Sequence, residues 1–338
     1  MLKGQCEDSG RCAARVAIWH FVVPVSISLL CLNGIRADGD EQAAIDALQK
    51  MGATVERSDS SNGRSVRSVA FAPQSKVTSI EPLRALKKLE MLSLAYTDLT
   101  DEKMGVLKEV KTLQCLDVSG TNVTDSGLSY IANLGRLETL AVGCKGITND
   151  GLKKILALRD LRELRLSDTQ LTDAGVKQIV GFEKLEHLDL CRTRIGDAAL
   201  AQIKSLGRLR VLYLEGTDVT DSGLKELGNM RELTTVNLNS TSVSASGLHN
   251  LRNLKNLRAL LLAGSRVATT DLRDLTEFRS LDALVLDRAQ IAGEGVTHLK
   301  QLKKLRLLML SGLNTDDSEL KASRKALPTC RVIGDIPQ

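Results

Sequence analysis

Leu209–Glu232 reads LRVLYLEGTDVTDSGLKELGNMRE. Its leucines at the first, fourth and sixth places are Leu209, Leu212 and Leu214. Strand side chains alternate, so Leu212 and Leu214 point inward while Val211 and Tyr213 leave by the opposite face. The period then changes. Leu224, Leu227 and Met230 follow at spacings of three, the apolar stripe of a short helix that closes the unit over its core. Each unit is therefore strand, loop, helix.

Working outward, the first-place leucine returns every 24 residues with no insertion or deletion, at Leu89, Leu113, Leu137, Leu161, Leu185, Leu209, Leu233, Leu257, Leu281 and Leu305. Such a period predicts an α/β solenoid whose units bury their apolar faces only against neighbours. Place nine holds Thr97, Thr121, Thr169, Thr193, Thr217 and Thr241, whose hydroxyls are expected to bond loop amides. A Thr-Asp-x-Gly segment follows at Thr124–Gly127, Thr172–Gly175 and Thr220–Gly223. A Thr or Asp there is expected to cap the following helix, worth about 1 kcal/mol per cap. Gly127, Gly151, Gly175, Gly223 and Gly247 recur with the repeat and read as turn geometry rather than as a phosphate loop.

The pattern L-x-x-L-x-L-x-x-T-x-(L/V/I)-T-D-x-G-L resembles the leucine-rich repeat, specifically its cysteine-containing variety, over residues 66–333. It departs from that variety in placing Thr where Cys or Asn is usual, in which it resembles many bacterial repeat proteins of this family. The resemblance implies a right-handed horseshoe with a parallel concave sheet and convex helices. It also implies partner binding rather than catalysis.

Val16 to Leu32 is an apolar run preceded by Lys3, Arg11 and Arg15 and followed by Ile35-Arg36-Ala37, which reads as a signal peptide over residues 1–37, with an uncleaved anchor as the alternative. Export to the periplasm, cell envelope or exterior is the expectation, and any membrane contact would run through that leader. Removing the segment takes away four basic and two acidic residues and lowers the formal charge from +5 to +3. That balance, with 2% aromatics and no basic run interleaved with them, argues against a nucleic-acid partner. Of the seven cysteines, Cys6, Cys12 and Cys31 lie in the leader. Cys115 and Cys144 fall about 16 Å apart along the strand direction and Cys144 and Cys191 about 10 Å apart across it, too far for a disulfide.

Residues 38–65 break the period. Ala44, Ile45, Leu48 and Met51 have helical spacing, and a short strand is expected to follow, as an N-terminal cap. The repeat domain is expected over 66–333, ending in a strand at Leu327–Ile333, with 334–338 as a tail. From Leu257 the loop pattern loosens, with Ser265, Ala289 and Leu313 at place nine.

Places three and five give the concave face. Glu163, Arg165, His187, Asp189, Tyr213 and Asn237 form a charged and aromatic centre, and Leu261, Val285, Leu307 and Met309 an exposed aliphatic patch beside it. Arg165 beside Asp189, and Glu163 beside His187, read as lateral pairs worth well under about 1 kcal/mol each. The aliphatic patch needs another explanation, and a protein partner of unknown identity supplies one. Whether the patch joins two copies of this chain, as a homodimer, stays open. His187 and Cys191 are about 13 Å apart in an extended strand, far beyond the contact a thiol and its base need. His249 and His298 fall on the helical side with no Cys or Asp cluster expected around them. No catalytic residue, metal or cofactor is expected. The competing readings are an envelope spacer without a partner and, more distantly, a substrate-recognition subunit similar to F-box leucine-rich repeat proteins, for which residues 38–64 are short.

Overall fold

The structure is a computed structural model that describes residues 39–60, 63–287, 295–311 and 318–334. The expected leader over 1–37, the place-nine residues Ala289 and Leu313, and positions 335–338 lie outside the described residues.

Strands run in chain order through one open 13-stranded sheet, from β1 (Ala53–Ser60) and β2 (Gly63–Phe71) to β13 (Arg331–Ile333). β1 and β2 are antiparallel and every later pairing is parallel, so each repeat adds one strand beside the last. This is the α/β solenoid the 24-residue period requires. Leu212 and Leu214 are 0% exposed, as are Leu224 and Leu227 from the facing helix. The leucine places join into one core that runs the length of the stack. The helical side is made of short pieces, such as Asp197–Ile203 and Asp221–Leu227, and of 3-10 turns at Asp101–Glu109 and Thr269–Glu277.

The place-nine threonines work differently from expectation. Their hydroxyls donate backward to the place-six carbonyl: Thr97 to Leu94, Thr193 to Leu190 and Thr241 to Leu238 at 2.7 Å, and Thr217 to Leu214 at 2.6 Å. The carbonyl, not a loop amide, needs them because the chain has just turned out of the sheet. That turn is made at place eight, which takes a left-handed backbone at Tyr96, Asp168, Arg192 and Ser240 (φ 58°, 61°, 53° and 52°) and at Gly120, Gly216 and Gly264.

Capping by the segment threonines is found at Thr124 and Thr220 and not at Thr172. Thr124, Thr148 and Thr220 accept from the amide two residues on at 3.2 Å. The aspartates instead reach into the next repeat. Asp197 accepts from the Thr220 amide at 2.8 Å and from its hydroxyl at 2.7 Å, and Asp125 does the same for Thr148 at 2.8 and 2.6 Å. The recurrent glycines follow from this stitch. None of Gly127, Gly151, Gly175, Gly223 and Gly247 has a left-handed backbone, and a Cβ on each would run into the preceding repeat's Asp or Asn side chain. They make room for the stitch rather than serve a turn.

At the N-terminal side, α1 (Gly39–Lys50) buries Ala44, Ile45 and Leu48, while Met51 beyond it is half-buried. Glu41 accepts from the Val66 amide at 3.1 Å. The expected short strand is the first arm of a hairpin that continues through β2. At the other side a helix, Ser318–Ala326, precedes β13, and Arg324 donates from Nε to the Val332 carbonyl at 3.0 Å. Among the described residues, no helix is long and apolar enough to cross a membrane.

Candidate functional site

Parallel pairing in unshifted register converts a sequence period into rows across the sheet. With β6 (Glu163–Arg165), β7 (His187–Asp189), β8 (Val211–Tyr213) and β9 (Thr235–Asn237), place five gives the row Arg165, Asp189, Tyr213, Asn237. It continues through β10 (Ala259–Leu261), β11 (Ala283–Asp287), β12 (Leu307–Ser311) and β13 as Leu261, Val285, Met309 and Ile333. Place three carries Glu163 and His187 at the centre and Leu307 toward the end. The ten residues expected on this face therefore lie in two adjacent rows on the side turned away from the helices.

Their exposure differs from the sequence reading. Arg165 and His187 are exposed, while Glu163, Asp189 and Tyr213 are half-buried. Asn237 is 7% exposed and engaged inside the fold: its Oδ1 accepts from the Asn239 amide at 3.0 Å and its Nδ2 donates to Glu215 at 3.3 Å. It is not an open contact residue. Leu261, Val285, Leu307 and Met309 are half-buried rather than exposed, because strands about 4.8 Å apart let each aliphatic side chain shield the next. Ile333 extends the patch. Among the described residues, the large hydrophobic side chains that do stand exposed are Met91 and Tyr96.

The expected lateral ion pair is replaced by one within a strand. Arg165 and Asp189 are register partners, but the Arg165 guanidinium closes on Glu163 at 2.6 Å. Burial opposes the charge on Arg165, and Glu163, by charge and hydrogen bond, together with Asp117 and Asp189, outweighs it and raises its pKa. Asp189 accepts from the Cys191 amide at 2.9 Å. Burial lifts its pKa above the usual carboxylate range despite that bond and the nearby Arg192 and Arg165. Tyr213, beside it, is likewise pushed up by burial, with Asp189 adding.

Place seven was passed over by the sequence reading, although the period-two count that found places three and five marks it too. Glu215, Cys191 and Asn239 border the centre there. Arg192, at place eight, holds Asp168 through two bonds of 2.7 and 2.6 Å and lies 3.9 Å from Glu215.

The thiols are held in the neutral form. Burial, then Asp117 and Glu163, push Cys115 up to about 11, and burial with Asp189 raises Cys191. Cysteine nucleophiles need the reverse shift. Cys115, Cys144, Cys191 and Cys330 are free. On the helical side His249 has two carboxylates nearby, Asp274 at 3.7 Å and Glu277 at 3.5 Å, both supplied by the next repeat. Among the described residues, no group of three or more His, Cys, Asp or Glu side chains is arranged to hold a metal ion.

Residues 136–271 match the family model described as leucine-rich repeat region, and residues 111–132 match a second described as leucine rich repeat. No curated protein matches the sequence. Among solved structures, an internalin (inlF) from Listeria monocytogenes is similar with 19% identity, covering 89% of this chain and 96% of its own, at a TM-score of 0.56. An internalin C2 (inlC2) from the same organism has 22% identity over 74% of this chain and 93% of its own, at a TM-score of 0.44. The first likeness concerns the fold alone. A chain that repeats one leucine-bearing strand, loop and helix at each step along its sheet, and whose residues 111–132 and 136–271 match these models, is a leucine-rich repeat protein.

Proposed function

We propose that this chain is a non-catalytic, exported protein-interaction module that binds a protein partner through the open face of its sheet. The observation that carries this is the place-five row, in which a charged and aromatic centre, Arg165, Asp189 and Tyr213, runs into the aliphatic Leu261, Val285 and Met309. Charge at the middle and apolar area beside it is how protein-binding surfaces distribute recognition and affinity. A spacer would need only the inward leucines and the Thr and Asp stitching, and leaves the composition of this row unexplained. Export rests on the apolar run Val16 to Leu32 with its basic flank.

Crosslinking capture from the native envelope tests the proposal. The parent chain is compared with a variant carrying Arg165→Glu, Tyr213→Ala and Leu261→Asp, whose fold is checked by circular dichroism. One protein captured by the parent and lost from the folded variant is the expected result. The same background from both chains supports the spacer instead.

A further inference from the structure

The chain carries a formal charge of +5, yet the centre of the open face has the opposite sign. At places three, five and seven of β4 (Cys115–Asp117) through β8 and the residues just beyond them stand Asp117, Glu163, Asp189 and Glu215. The cations there are Arg165 and, when protonated, His187. Glu163 occupies Arg165 at 2.6 Å, and Asp168 occupies the neighbouring Arg192 at 2.6 Å. Asp189 therefore sits half-buried, between Arg165 and Tyr213 in its row, with Arg165 closed on Glu163 and Arg192 closed on Asp168 while both still act on it through their charge. A carboxylate in that setting favours an incoming cation, and the adjacent tyrosine ring adds a cation–π face.

Spacing then fixes the rest of the ligand. Leu261 lies three strands from Asp189 in the same row and Val285 four strands. At about 4.8 Å per strand these are about 14 and 19 Å, or about four and six residues of an extended chain. Those offsets are even, so side chains at all three points of an extended segment turn toward the sheet together.

We propose that the face takes an extended segment of the partner protein lying across the strands. A lysine or arginine of that segment sits over Asp189 and Glu215, and aliphatic side chains about four and six residues away pack on Leu261 and Val285. This rests on the reading of the open face as a protein-binding surface.

Panning a random peptide library against the immobilised full chain tests it, with peptides of about twelve residues, long enough to cross the five strands from Asp189 to Val285. Enriched peptides are expected to carry Lys or Arg spaced by four or six from Leu, Ile, Val or Met. Their affinity should fall at least about tenfold on a chain carrying Asp189→Asn and Glu215→Gln, and weaken with added salt. A Leu261→Ala chain should lose affinity as well, whereas Lys225→Ala on the helical side should not. Enrichment of acidic or uncharged peptides, no enrichment, or unchanged affinity on the charge-removed chain overturns the proposal. Failure here beside a face-dependent capture in the crosslinking experiment refutes the basic and aliphatic ligand alone, whereas failure of that capture removes the face itself.

Discussion

At the scale of single residues, two aspartates of opposite behaviour separate site from scaffold. Burial raises the pKa of Asp189 in the fold, so its ionised form destabilises the native state, and stability falls as pH rises through the folded value. Asp189→Asn keeps an oxygen for the Cys191 amide and removes the buried charge. It is expected to raise the melting temperature at pH 7, with the gain shrinking as pH drops below the folded pKa and vanishing below the unfolded carboxylate value; a lower melting temperature at pH 7 would contradict this. Asp221 runs the other way. Burial works to raise its pKa, but the amide and hydroxyl of Ser244 and the hydroxyl of Ser246, at 2.7, 2.6 and 2.9 Å, outweigh burial and lower it. Its contribution is present above the unfolded carboxylate range and is lost as pH falls through the depressed value. The stitch also makes glycine obligatory. In a helix, Gly→Ala is ordinarily worth up to about 1 kcal/mol of stability, yet a Cβ on Gly223 would stand 2.5 Å from the Asp197 carboxylate. Gly223→Ala is expected to cost about 1–3 kcal/mol by overpacking. In a chain already carrying Asp197→Ala the penalty should shrink, and a double-mutant cycle in urea reads the coupling.

At the scale of the element, one three-residue strand carries both stability and recognition, on opposite sides. Leu212 is 0% exposed, while Tyr213 beside it is half-buried on the open face. Leu212→Ala is expected to cost about 2–5 kcal/mol in urea unfolding. Tyr213→Ala should cost distinctly less and instead reduce capture of the partner. Equal losses of stability from the two would place Tyr213 in the scaffold. Strand, loop and helix were legible in Leu209–Glu232 because alternation and helical spacing are local properties. The Asp-to-Thr stitch was not, since its donor and acceptor lie 23 residues apart and only their juxtaposition between repeats explains Gly223. Asn237 shows the same limit at the site. Its place in the count put it on the face, but Glu215 and Asn239 engage its amide.

At the scale of the whole molecule, a solenoid with nearest-neighbour contacts should tolerate loss of one whole unit and not of a fraction. Excision of residues 185–208, one 24-residue period, restores the register of Leu164 against Leu212. That chain is expected to fold cooperatively with a lowered melting temperature, as circular dichroism would show. Excision of residues 185–196 removes β7 and joins the helix Asp173–Ile179 to the helix Asp197–Ile203 with no strand between them, and should prevent a cooperative transition. The same additivity explains why the period alone determined the number of units, their strand and helix sides, the inward leucines, and which residues share the outward face. Each follows from local periodicity repeated without a break. Only the tertiary structure decided how far those outward residues are covered, that Arg165 closes on Glu163 rather than Asp189, and that the aliphatic row is half-buried. Side-chain shielding and ion-pair choice depend on neighbours a full repeat away, whose distance and direction are set by the stacking of the sheet rather than by any stretch of the chain.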